Sequence, residues 1–128
     1  MISRTVTIEE LASYYMEHLR PVGLVVDDEV VLSQAIKAVR YYTGYGDLAF
    51  LESNEVLNKS TKLDKSEVAV ISPLFELYVE RENALILESS RSQGVEVYGR
   101  TVSEVMSDIT QKELEIQNLA FEVDFFTV

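Results

Sequence analysis

Two capping boxes fix where this chain can begin a helix. In Thr7-Ile8-Glu9-Glu10 the Thr7 hydroxyl is placed to accept the Glu10 amide while the Glu10 carboxylate reaches back to the Thr7 amide; Thr101-Val102-Ser103-Glu104 repeats the arrangement. Val6 and Leu11 hold the staple positions of the first box. The pattern predicts a helix from Ile8 to Leu19 that stops before Pro21, because Arg20 is steered away from helical angles. Leu11, Tyr15, His18 and Leu19 share one face of it.

After the extended connector Pro21 to Val26, Asp27 caps a second helix with Asp28 and Glu29 in its first turn. Val31, Ala35, Ala38, Val39 and Tyr42 recur at helical spacing, and Gly44 is expected as a left-handed stop. From Leu48 to Lys65 the periodicity dissolves into a polar stretch that reads as a surface loop, with one short element at Leu48 to Leu51. Asp64-Lys65-Ser66-Glu67 opens a helix that Pro73 should interrupt. A third long helix is expected from Leu74 to about Gln93, closed by Gly94, and it is apolar on more than one side. The second capping box opens a fourth helix carrying Val102, Val105, Met106, Ile109, Leu114, Ile116 and Leu119. After Ala120 the pattern switches to period two, with Phe121, Val123 and Phe125 on one face, the signature of a strand.

The fold class is therefore mainly α: a small four-helix domain over residues 1–120, followed by an extended C-terminal arm over 121–128. Five of the eight arm residues are apolar: Phe121, Val123, Phe125, Phe126 and Val128. A lone strand leaves its main-chain groups unpaired, so the arm is expected to pair with another chain. At 128 residues the chain suits one domain. No leader or membrane span is visible in it. A net charge of -11 disfavours tight wrapping of nucleic acid, whose affinity for proteins comes largely from cations on phosphates. There is no cysteine, hence no disulfide and no thiol chemistry.

Searches for chemistry fail on residue types. Helical carboxylate-bridged metal sites need Glu-x-x-His pairs; the one histidine is His18, and Tyr15 stands three residues before it. Gly44-Tyr45-Gly46 lacks the spacing and the lysine of a phosphate loop. No Gly-x-Ser-x-Gly elbow presents a serine. The acids Glu76, Glu80, Glu82 and Glu88 read as a solvated helical face. No catalytic residue, metal or cofactor is expected. Arg81, between Glu80 and Glu82, either snorkels from the core edge or meets an acid on a neighbouring helix or subunit. The doublets Tyr14-Tyr15 and Tyr41-Tyr42 should each put one ring inward and one outward. Tyr41, Tyr78, Arg81 and Glu82 are the candidate subunit-interface residues.

The order "DDEVVLSQAIKAVRYYTGYG", a loop, then "PLFELYVERENALILESSRSQGVEVYGRTVSEVMSDI" and an acidic helix with an apolar end resembles the small helical head–tail connector (adaptor, or head-completion) proteins of tailed bacteriophages. The likeness covers Asp27 to Val128 and lies in helix order more than in a short motif. "GVEVYGR" is longer than that pattern would have it. The resemblance implies a non-enzymatic virion protein at the neck, assembled in the host cytoplasm, forming a twelve-membered homo-oligomeric ring. It implies a portal protein as partner of the C-terminal arm, a tail or neck protein on the other side, and DNA passing through without specific binding. Two further readings stay open: another virion ring component, such as a tail terminator or baseplate adaptor, and a small cellular helical regulatory or binding protein.

Overall fold

The computed structural model describes residues 5–52, 54–91 and 100–127, with the backbone alone for 90, 91 and 120–127. The elements are β1 (Val6–Thr7), α1 (Ile8–Tyr14), a π-helical turn (Tyr15–Leu19), α2 (Asp28–Thr43), β2 (Lys62–Leu63), α3 (Lys65–Arg91) and α4 (Val102–Thr127). The domain is mainly helical, as the caps require.

Both capping boxes form. The Glu10 amide donates to the Thr7 hydroxyl at 3.1 Å and the Thr7 amide to Glu10 Oε1 at 3.0 Å; Thr101 and Glu104 exchange the same bonds at 3.2 and 3.1 Å. Asp27 accepts the Val30 amide at 3.0 Å and starts α2. Ile8, Leu11 and Ala12 anchor α1 in the core. Beyond Tyr14 the expected α-helix widens into the π-helical turn, which breaks the face expected of Leu11, Tyr15, His18 and Leu19: Tyr15 is buried, whereas Leu19 is 48% exposed. A π turn carries an extra residue, so the positions after it rotate off the α-helical stripe. Arg20 leaves helical space at ψ 118°, as the following proline demands.

The connector turns at Gly23, whose φ of +91° is left-handed, with the Leu24 amide donating back to the Pro21 carbonyl at 3.3 Å. By contrast Gly44 is right-handed, with φ −71°, correcting the expected left-handed stop. The chain leaves α2 by tightening: the Gly44, Tyr45 and Gly46 amides donate to the Tyr41 and Tyr42 carbonyls, and no residue needs positive φ.

The stretch from Leu48 to Lys65 is more than a surface loop. Leu48, Thr61 and Leu63 are buried, and β2 pairs antiparallel with β1 in the register Val6 to Leu63 and Thr7 to Lys62. Its carbonyls at Thr61 and Lys59 accept the Ile8 and Glu9 amides at 3.0 and 2.9 Å, so the loop completes the start of α1.

The helices on either side of Pro73 are one helix, which corrects the expected break. Asp64 and Glu67 cap its start reciprocally at 2.8 and 2.9 Å. The remaining Glu67 oxygen accepts the Ala49 amide at 2.8 Å, so this carboxylate, 4% exposed, is fully used. Pro73 removes one backbone bond, to Ala69, and its own surface is exposed. Ile71, Leu74 and Phe75 pack in the core on both sides of it and hold the two halves in line. The stop expected at Gly94 lies outside the described residues, as does most of "GVEVYGR".

Helix α4 runs antiparallel along α3. Its Val102 amide donates to Glu88, Glu113 meets Tyr78, and Leu119 lies beside Ala69 and Val70. Val105, Ile109 and Ile116 face the core with Ile8, Val31, Val39, Leu63 and Val79. The backbone of 121–127 continues this helix, so the arm is helical and not the extended strand that period two suggested. Extending a helix already formed adds one bond for each residue fixed, whereas a lone strand adds none. Phe121, Phe125 and Val128 also stand at i, i+4 and i+7, which satisfies the helical period as well as Phe121, Val123 and Phe125 satisfy period two. The requirement that the arm's main chain find another protein's sheet edge falls away with the strand. Among the described residues no helix is long and apolar enough to cross a membrane.

Candidate functional site

Helix α3 presents different chemistry on three sides: a core face, a groove and a cationic ridge. The core face uses two of the residues singled out in the sequence. Tyr78 is buried, and its hydroxyl donates to Glu113 Oε2 at 2.6 Å. Burial, reinforced by that carboxylate, raises its phenol above the ordinary tyrosine range. Tyr41 donates to the Glu113 carbonyl at 3.2 Å and accepts from Gln117 Nε2 at 2.7 Å. Both hydroxyls therefore tie α4 to α2 and α3 within one chain. The one-ring-out pattern holds for Tyr14, 55% exposed, and Tyr15, 4% exposed. It does not hold for Tyr41 and Tyr42, which both pack half-buried against the core.

Arg81 and Glu82 form the ridge. The Arg81 guanidinium lies 4.9 Å from the Tyr78 ring centroid, a cation–π placement, and among the described residues most of its hydrogen-bond donors are unused. Its one carboxylate neighbour among the described residues is Glu82, reached by Nε at 3.4 Å. Nη1 only touches Met106 Sδ, at 4.0 Å. Met106 and, one turn on from Arg81, Leu85 are 39% and 48% exposed. The ridge is thus a half-sheltered cation between exposed apolar side chains.

The groove lies on the opposite flank, between α3 and the Pro21 to Leu24 connector, with a volume of about 470 Å³. Asn83 builds its wall: its Oδ1 accepts the Val25 amide at 2.7 Å and its Nδ2 donates to the Gly23 carbonyl at 3.2 Å. Leu19, Val22, Leu77 and Leu87 make its apolar lining; Glu76, Glu80 and Arg100 its charged one. Arg100 grips both Glu80 oxygens, at 2.6 and 2.9 Å, and holds Asp108 of α4 with its other nitrogen. That bidentate fork spends the charge of Glu80 within the chain. Glu76, exposed one turn away, has no partner among the described residues. Tyr15 closes the floor; burial and the nearby Glu76 and Glu80 push its phenol up to about 12.

His18 is exposed, 4.7 Å from the Tyr14 ring and 3.8 Å from Glu17. Among the described residues no three His, Cys, Asp or Glu side chains are grouped to hold a metal ion.

Neither the groove nor the Arg100 clamp was visible in the periodicity. One signal was present: an asparagine inside "RENA", where asparagine is a poor helix former unless its amide has work with a neighbouring backbone. The side chains of Phe121, Val123, Phe125, Phe126 and Val128, the docking residues expected from the sequence, lie outside the described residues. Comparison with known proteins finds no family model, curated protein or solved structure that matches the chain.

Proposed function

We propose that the chain is a structural subunit of a tailed-bacteriophage neck, a head-to-tail connector that forms a homo-oligomeric ring between the portal and the tail. The observation that carries this reading is the end of α4. From Leu119 the helix continues eight residues, about 12 Å at 1.5 Å per residue, into a stretch that holds three of the chain's five phenylalanines. As a helix this end sets Phe121 and Phe125 at i and i+4, the spacing by which an amphipathic helix anchors in a partner's groove. Docking on the portal is therefore helix-in-groove, not the addition of a strand. The resemblance in helix order supports the same assignment. The net charge of -11 suits a conduit that lets DNA pass without holding it.

Burying an apolar side chain of this size contributes about 1.5–3 kcal/mol, so Phe121→Ala with Phe125→Ala should weaken portal binding by about 10²–10⁴-fold. Biolayer interferometry against immobilised portal oligomers measures it. The helical circular dichroism should be unchanged, because alanine is a good helix former and the buried Val105, Ile109 and Ile116 of α4 are untouched. Undiminished binding by the double variant would refute the docking role of the arm.

A further inference from the structure

We propose that the ring closes through the two flanks of α3: the Arg81, Leu85 and Met106 ridge of one copy seats in the groove of the next, and its Arg81 guanidinium pairs with Glu76 there. This rests on the ring reading above and assigns its subunit contact. The occupant is a second copy of this chain because each face supplies what the other lacks. Glu76 is a carboxylate without a partner among the described residues, set beside apolar Leu77. Arg81 is a guanidinium whose only carboxylate neighbour there is touched through one nitrogen at 3.4 Å. A planar fork whose donors are largely unused among the described residues is matched to a carboxylate, and the attraction within such a pair is stronger where apolar neighbours shelter it than in open water. Leu85 and Met106 project beside the cation, and the groove's volume of about 470 Å³ falls within the range of clefts that accept apolar groups.

The placement also fits a closed ring. Glu76 and Arg81 are five residues apart on one helix, so they point about 140° apart around its axis. Two different patches make a head-to-tail contact, and patches less than 180° apart turn the array at every step, toward closure. Arg100, the other cation at the groove, is already engaged by Glu80 and Asp108, so it does not compete for Glu76.

A charge swap tests this. Sedimentation velocity of the full chain should show an oligomer larger than a dimer, and Arg81→Glu or Glu76→Arg should each reduce it to monomer. The equimolar mixture of the two variants should reassemble. Alternating copies then place the two substituted side chains against each other, as an ion pair of reversed polarity, at one interface and restore the native pair at the next. Recovery on mixing also shows that both variants fold. A mixture that stays monomeric, a single variant that assembles like the parent, a parent that is monomeric, or a parent that is a two-fold dimer each overturns the proposed contact. Portal binding through residues 121–128 is measured separately, so a failed swap with intact portal binding refutes this contact and leaves the connector reading standing.

Discussion

Replacing Asn83 by alanine sets two effects of opposite sign against each other. Alanine is the better helix former by about 0.5 kcal/mol, which favours the variant. Against it stand the two bonds that Asn83 makes to the connector, from the Val25 amide at 2.7 Å and to the Gly23 carbonyl at 3.2 Å. Each contributes about 0.5–1.5 kcal/mol net, toward the lower end here because Val25 is 53% exposed and water replaces part of the loss. The balance is a destabilisation of about 0.5–2.5 kcal/mol, or about 2–10 °C in Tm for a chain of this size. The loss should also be local. Hydrogen exchange at the Val25 amide should accelerate more than exchange in α2, because the connector opens without the helices separating. Urea unfolding with amide exchange measures both. A variant that is more stable by about the helix-propensity difference, with Val25 exchange unchanged, would show that the clasp does not hold the groove wall.

Three other perturbations follow from the same contacts. Pro73→Ala restores the backbone bond to Ala69 in a helix that is already continuous; about 3 kcal/mol of helix preference, less about 1 for the looser unfolded chain, should stabilise it by about 2 kcal/mol in a urea melt. Gln34→Met should raise stability by about 1–2 kcal/mol, since the Gln34 Oε1 is buried without a hydrogen-bond partner among the described residues and methionine keeps its length; a loss of stability would mean that this oxygen is satisfied. The Asp64 and Glu104 carboxyls are held below their ordinary values of 3.8 and 4.5, chiefly by the backbone amides of Glu67 and Thr101. A lowered folded value gives stability that is present above the ordinary value and is lost as pH falls through the folded one. The acid limb of stability should therefore decline below about pH 4.5, and Asp64→Asn with Glu104→Gln should flatten it.

The parts of the fold that were legible in the sequence are those decided within one turn of chain. Thr7, Asp27 and Thr101 start helices because each hydroxyl or carboxylate reaches an amide three residues on, and no distant residue is needed. What escaped depends on distant partners. Lys62 and Leu63 become a strand only because Val6 and Thr7 lie alongside them. Pro73 stays helical because its neighbours are packed on the core, which outweighs one lost bond. The arm was ambiguous because its phenylalanines fit both periods, and continuation of α4 decided between them. The groove needed the Pro21 to Leu24 connector to fold back on α3 across 58 residues of sequence, as the bond from Val25 to Asn83 records. The periodicity leaves Arg81 either at the edge of the core or against an acid of a neighbouring helix or subunit; in the structure its guanidinium lies over the ring of Tyr78, its own neighbour one turn back.

The proposed ring seated on a portal can be put to the test in a single preparation, by electron micrographs of the purified protein mixed with portal oligomers. End-on views should show a closed ring capping each portal, and deletion of residues 121–128 should leave the portals bare. Portals that stay bare with the full chain present, or open filaments in place of rings, would overturn the neck assignment.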